Sequence, residues 1–272
     1  MDPFAGRVAV VTGGGSGIGA ALARAFAARG AHLVLADLDA EAMAAVAADL
    51  AAHGTEVLCV PTDVGERAQV EALAAAAVAH FGAVHLVCNN AGVCVPGDLA
   101  TATHADWVYT LRVNVWGVVH GVEVFVPRLL AQGAGGHVVN TASMAGLVGM
   151  QGLGVYSASK FAVVGLSEAL YRELAPKGVG VSVVCPMVVR TNIDVNSVRQ
   201  RPAALRGPGA PAAVPPGLAT LAGSVIEPED VARRVVRAIE RGDLYVLTHP
   251  EQREILRRRA ERLERMFDPE RW

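Results

Sequence analysis

Val8-Ala9-Val10-Val11-Thr12-Gly13-Gly14-Gly15-Ser16-Gly17-Ile18-Gly19, followed by the alanine-rich run to Ala27, decides how this chain folds. Four successive apolar residues read as a buried strand, the glycines as a tight turn, and the alanine-rich run as a helix. A strand that passes through a glycine turn into a helix N-terminus makes a phosphate cradle. Glycine lets the backbone approach a pyrophosphate without a Cβ clash, while the first amides and the positive end of the helix dipole face the anion. The glycines stand as T-G-x-x-x-G-x-G instead of G-x-G-x-x-G, with the same mechanics. Gly13, Gly15, Ser16, Gly17, Ile18 and Gly19 are therefore the first candidate cofactor residues.

Downstream the same rhythm repeats. Strand candidates fall at 7–11, 32–36, 56–60, 84–88, 137–141, 180–185 and 244–247, with helical stretches between them. This alternation predicts an α/β fold, a doubly wound, seven-stranded parallel sheet of the Rossmann type with helices on both faces. Ligands of such sheets bind outside the carboxyl ends of the strands. The second strand ends at Asp37, eighteen residues after Gly19, where a carboxylate can accept both ribose hydroxyls of an adenosine and repel a 2′-phosphate. Neither Ser16 nor the residues just after Asp37 supply a compensating Arg or Lys, so NAD is expected over NADP; His32 and Asp39 read as surface bystanders. The third strand ends at Thr62-Asp63-Val64, which places Asp63 for an adenine amino group or as the N-cap of a helix starting near Arg67.

The chemistry is carried by Tyr156-Ser157-Ala158-Ser159-Lys160. On a helix the tyrosine and lysine share one face, and a neighbouring ammonium lowers a phenol of pKa about 10 by roughly 1–3 units toward working pH. Ser143, thirteen residues upstream of Tyr156, offers a hydroxyl for the oxygen of a carbonyl or carbinol.

In combination, Thr12-Gly13…Gly17-Ile18-Gly19, Asp63, Asn89-Asn90-Ala91-Gly92, Asn114, Ser143, Tyr156, Lys160 and Pro186…Thr191 resemble the short-chain dehydrogenase/reductase family of about 250 residues, over about Arg7 to Leu247. The resemblance implies Tyr156 as catalytic acid/base, Lys160 on the nicotinamide ribose, Ser143 on the substrate oxygen and Asn114 holding a relay water. It further implies Asn90, Ala91 and Gly92 at the adenosine end or the sheet edge, with Pro186, the Val189 backbone and Thr191 around the carboxamide. The family's Pro-Gly after the sixth strand is here Pro186-Met187, so Met187 is expected as a flexible apolar wall. Met144, Gln151 and Leu153 complete the expected substrate pocket, which with its lack of Arg or Lys suits a hydrophobic secondary alcohol or ketone. Segments Ser197–Pro202 and Leu244–Glu251 also resemble the branch containing lignin-dimer Cα-alcohol dehydrogenases. An NADPH-dependent biosynthetic ketoreductase and a non-catalytic dinucleotide sensor are the alternatives.

The 272 residues, 52% hydrophobic and 18% charged with a formal charge of −2, suit one domain with a large core and offer no bulk attraction for nucleic acid. Short apolar runs and an N-terminus without a basic or apolar leader predict a cytoplasmic protein off the membrane. Cys59, Cys88, Cys94 and Cys185 lack C-x-x-C spacing and read as core thiols, and the scattered histidines give no metal motif. Helices near 102–131 and 157–175 carry more apolar surface than one sheet face hides, which predicts a homo-oligomer, dimer or tetramer. The Pro- and Gly-rich stretch within 192–224 breaks the βα rhythm and reads as a substrate lid, and 250–272 as a charged helical extension, solvated or subunit-facing.

Overall fold

The computed structural model describes residues 2–206 and 223–268. All seven expected strands form: β1 (Val8–Thr12), β2 (His32–Asp37), β3 (Val57–Pro61), β4 (Leu86–Asn89), β5 (Gly136–Thr141), β6 (Val179–Cys185) and β7 (Tyr245–Leu247). They make one sheet in the order β3-β2-β1-β4-β5-β6-β7, every neighbouring pair parallel. The order reverses between β1 and β4, and the crevice that opens at this switch holds the candidate site.

β1 is buried along its whole length, and its side chains divide by alternation. Ala9 and Val11 pack under α1 (Gly17–Ala27), α2 (Ala40–Ala52) and α8 (Pro228–Arg241), through Phe26, Met43 and Val235. Val8 and Val10 face α3 (Arg67–Phe81), α5 (Gly117–Gln132) and α6 (Gly154–Leu174), through Leu73, Phe125 and Leu170. A strand covered on both faces needs apolar residues at every position, which is why the run Val8–Val11 shows no polar alternation.

The helix expected near 102–131 is divided. α4 (His104–Leu111), started by a capping box between Thr103 and Asp106, runs into a π-helical turn at Arg112–Trp116 and then into α5. The π turn shifts the side chains around Asn114 and commonly marks a functional site. By length and composition the run His104–Gln132 would suffice to cross a membrane, but half of its most apolar window is buried in the protein and α5 packs on the sheet as a core helix. Trp116, in the π turn, is 53% exposed.

Of the expected lid, residues 207–222 lie outside the described residues; the described part holds α7 (Ile193–Arg199) and a 3-10 turn at Ala203–Leu205. In the C-terminal extension α9 (Arg253–Glu264) buries no residue and is laced by Arg257 and Arg258 to Glu254 and by Arg257 to Glu261.

Candidate active site

The glycine turn is built by close approach. A Cβ on Gly19 would lie 2.0 Å from the Gly13 carbonyl oxygen, so Gly19 is required by packing inside the turn. Gly17 has φ +50°, and its would-be Cβ meets the Thr191 methyl at 3.1 Å, which brings the β6 exit against the cradle. Ser16 occupies the N-cap of α1 without a side-chain cap bond. The amides of the first turn are thus left for an anion.

At the far end, Asp37 closes β2 with both carboxylate oxygens oriented by backbone: Oδ2 accepts the Gly15 N–H at 3.1 Å and Oδ1 the Asp39 N–H at 3.1 Å. Asp39, expected as a bystander, accepts the Ala42 N–H at 3.0 Å as N-cap of α2 and pairs at 2.6 Å with Arg199 of α7. A guanidinium therefore does reach this end, from 160 residues away, and it is already matched to a carboxylate. Asp63 is also committed. It accepts the Gly65 N–H at 2.9 Å and pairs at 2.7 Å with Arg112 of the π turn, while the N-cap of α3 is Glu66, not Asp63.

Between these ends the sheet is stitched by polar groups. Asn90 donates to the Thr12 carbonyl at 2.9 Å and accepts from the Thr141 hydroxyl at 3.2 Å, and the Asn90 and Ala91 amides donate to the Thr12 hydroxyl. A Cβ on Gly92 would stand 3.3 Å from Asn114 Oδ1 and 3.5 Å from Lys160 Nζ, so this glycine marks where the two side chains converge.

Tyr156 and Lys160 stand one turn apart on α6, with the lysine Nζ 5.6 Å from the centre of the tyrosine ring. Nζ donates to the Thr141 carbonyl at 2.8 Å. Burial pushes the Lys160 ammonium down to about 8. Burial, reinforced by the nearby Cys94 thiol and opposed by the Ser143 hydroxyl, holds the Tyr156 phenol well above its ordinary value. This reverses the direction expected from the Tyr-Lys spacing, because desolvation of the phenolate dominates. Ser143, at the end of β5, donates to the Pro186 carbonyl at 3.3 Å and accepts the Ala145 N–H at 3.1 Å.

Asn114 is fully buried, and its side chain is used up by protein. Oδ1 accepts the Val93 N–H at 2.8 Å, and Nδ2 donates to the Val93 carbonyl at 2.9 Å and to the Ser159 hydroxyl at 3.0 Å. Both ends of the amide thus hold Val93.

One cleft of about 220 Å³ joins these groups. Gly13, Ser16, Gly17, Ile18, Asp37, Asp63, Val64, Asn90, Ala91, Gly92, Ser143, Tyr156, Lys160, Pro186, Met187, Val189 and Thr191 all line it. Gly15 and Gly19 act from behind it. Three expected pocket residues fall elsewhere: Met144 and Leu153 are 2% and 4% exposed, packed in the 3-10 turn after Ser143 and at the start of α6, and Gln151 sits exposed in a turn. Lining residues that sequence reasoning missed are Arg112, Tyr109, and Ile193, Asn196 and Gln200 in and just after α7. Tyr109 donates to the Ser197 carbonyl at 3.0 Å and so docks α7 over the cleft. Motif spacing carries no signal for Tyr109, Arg112 and Asn196, because each meets a partner distant in sequence, Ser197, Asp63 and Ser16.

The family model described as short chain dehydrogenase matches residues 7–202. The chain belongs to the short-chain dehydrogenase family. The chain is 35% identical over 258 residues to a C alpha-dehydrogenase of Sphingobium sp., covering 93% of this chain and 84% of that one. It is 39% identical over 194 residues to 3beta-hydroxysteroid dehydrogenase 2 of Eggerthella lenta, covering 71% and 74%. A crystal structure of a short-chain dehydrogenase/reductase from Burkholderia phymatum in complex with NAD superimposes with a TM-score of 0.92 at 44% identity, over 99% of this chain and 98% of that one.

Proposed function

We propose that this oxidoreductase interconverts a hydrophobic secondary alcohol and its ketone with NAD, using Tyr156 as general acid and base. The carrying observation is the convergence of Tyr156, Lys160 and Ser143 on one cleft with the glycine cradle and Asp37. The turn at Gly13–Gly19 presents amides to a pyrophosphate, and Asp37 accepts from the adenosine ribose. When bound, the dinucleotide supplies the hydride carrier and, in its oxidised form, a positive charge.

The residues divide the remaining work. With its pKa held high by burial, Tyr156 is a neutral phenol near pH 7, ready to donate a proton to a carbonyl oxygen. Taking up the proton of an alcohol requires added positive charge at the phenol, and Lys160 keeps its proton near pH 7 because about 8 still lies above it. Ser143 turns its hydroxyl from the Pro186 carbonyl to the substrate oxygen and shares the developing charge with Tyr156. Asn114 serves as scaffold, holding Val93 and the chain at Gly92 beneath Lys160.

The cleft near Tyr156 is walled by Val93, Ala142, Pro186, Met187, Val189 and Ile193, with Lys160 its one cation at this end among the described residues. Such walls favour an apolar substrate, in keeping with the name of the hydroxysteroid dehydrogenase relative. Asp37 argues against the NADPH-dependent alternative by like charge toward a 2′-phosphate. The half-exposed Trp116 supports assembly into a homo-oligomer.

The test is formation of reduced cofactor from aliphatic, benzylic and steroidal secondary alcohols, with NAD and NADP in parallel. Turnover with NAD is expected, and Tyr156→Phe is expected to lose about 10²–10⁴-fold in rate while still binding NAD. Turnover retained in that variant refutes the mechanism. Silence with both cofactors, despite a melting temperature raised by NAD, would favour the sensor.

A further inference from the structure

The Pro186–Met187 peptide, where a side chain replaces the family's glycine, is gripped on both edges. Its carbonyl accepts the Ser143 hydroxyl at 3.3 Å and the Met144 N–H at 2.9 Å. Its N–H faces the other way, toward Nδ1 of His249 at 3.3 Å. His249 follows β7, is 4% exposed and comes from sixty-two residues downstream of Met187. Its other ring nitrogen, Nε2, lies 3.2 Å from the Val188 carbonyl and 3.0 Å from the Ser224 carbonyl. Carbonyls only accept, so Nε2 carries the proton and Nδ1 is the acceptor, shared between the Met187 N–H and the Thr248 hydroxyl at 2.6 Å. The surrounding backbone thus fixes one tautomer.

These contacts fall at a structural neck. Ile226 N–H donates to the Val188 carbonyl at 3.1 Å and Arg190 N–H to the Ile226 carbonyl at 2.9 Å, so the chain leaving β6 and the chain returning before α8 run side by side. The described stretch 192–206 departs from this pair, and residues 223–225 lead back into it. His249 lies across its base, and Glu251 secures the returning chain by accepting the Ser224 N–H at 2.8 Å and its hydroxyl at 2.9 Å.

We propose that His249 is a positioning residue for the reaction assigned above, on which this inference rests. It clasps the neck and fixes the plane of the Pro186–Met187 peptide. That plane sets where the Pro186 carbonyl draws the Ser143 hydroxyl, and where Met187 stands in the cleft. No contact between His249 and substrate is needed. A ring of similar size without nitrogen would fill the space, but would leave the half-buried Met187 N–H and the Val188 and Ser224 carbonyls without this partner.

The experiment compares His249→Phe with His249→Gln. The glutamine amide offers an oxygen to Met187 N–H and an N–H₂ to the two carbonyls. Expected for the Phe variant are a kcat/KM for the alcohol lower by about tenfold, a smaller loss in NAD binding because the cradle and Asp37 lie elsewhere while only Pro186 and Val189 adjoin the clasp, and faster hydrogen exchange at the Met187 and Ile226 amides. The Gln variant is expected to restore all three toward the parent. A Phe variant with unchanged kcat/KM and exchange, or a Gln variant as impaired as the Phe one, would overturn the proposal. Should the Phe variant not fold, the parent alone still decides: free exchange of its Met187 amide would overturn the clasp, and protected exchange together with a Gln variant active like the parent would support it. If the parent turns over no alcohol, that failure belongs to the assigned reaction, while exchange and NAD binding still test the clasp.

Discussion

Replacing Lys160 by methionine should abolish turnover and yet make the cofactor-free protein more stable near neutral pH. The ammonium is 3% exposed and burial lowers it from 10.5 to about 8. At about 1.4 kcal/mol for each tenfold change in proton affinity, keeping it charged costs the folded state on the order of 3 kcal/mol at pH 7. Methionine has similar volume and no such cost, but leaves the Thr141 carbonyl without its 2.8 Å donor, a loss of about 1 kcal/mol. The net gain is about 2 kcal/mol at pH 7, a rise of roughly 4–8 °C in melting temperature. The sign changes with pH. Between about 8 and 10.5 the unfolded chain keeps the lysine proton that the folded chain has released, so the parent gains stability as pH rises through this window. The cost is gone above 10.5, and only the lost hydrogen bond then counts against the variant. Denaturant melts of both proteins from pH 7 to 10 should show the advantage of Lys160→Met shrinking above pH 8 and vanishing toward pH 10. Subtracting the parent removes the other titrating groups, which both proteins share. A variant less stable than the parent at pH 7, or an advantage that does not change with pH, would refute a desolvated ammonium at this site.

Other substitutions test separate parts of the site. Gly19→Ala places a Cβ 2.0 Å from the Gly13 carbonyl and should cost about 1–3 kcal/mol together with NAD binding, whereas Gly165→Ala, in α6 with nothing within 4 Å, should be neutral or stabilising by up to about 1 kcal/mol; thermal melts with and without NAD separate the two. Asp37→Asn keeps an acceptor for the Gly15 amide but removes the charge, and should raise the kcat/KM ratio of NADP to NAD by at least about tenfold. Adding Asp39→Asn preserves a good N-cap for α2 while freeing Arg199, and should raise that ratio further; a double variant no better than the single would show that Arg199 does not reach a 2′-phosphate.

The seven strands and the positions of the glycine turn, Asp37, Ser143, Tyr156 and Lys160 could be read from the chain because each rests on local regularity. A parallel strand covered on both faces must be apolar throughout, so Val8–Val11 announces itself, and a four-residue spacing on a helix puts Tyr156 above Lys160 whatever surrounds them. The direction of their pKa shifts could not be read in this way. Charge proximity is set by spacing, but desolvation, the largest cause of the Tyr156 shift, is set by everything packed around the pair. The same division explains the other differences. Asn114 was legible as a motif residue, but its side chain is spent on Val93 because a π turn in the helix aims it there. Met144 follows Ser143 and Leu153 precedes Tyr156 in sequence, yet the 3-10 turn and the start of α6 carry them into the packing. Asp39 with Arg199, Asp63 with Arg112 and His249 with Met187 join residues that sequence order keeps far apart. All three pairs sit where the cleft is gripped from outside the βα units. In a fold whose sheet prescribes where a dinucleotide lies, these distant contacts shape the walls around it, and specificity should be sought there before the catalytic residues.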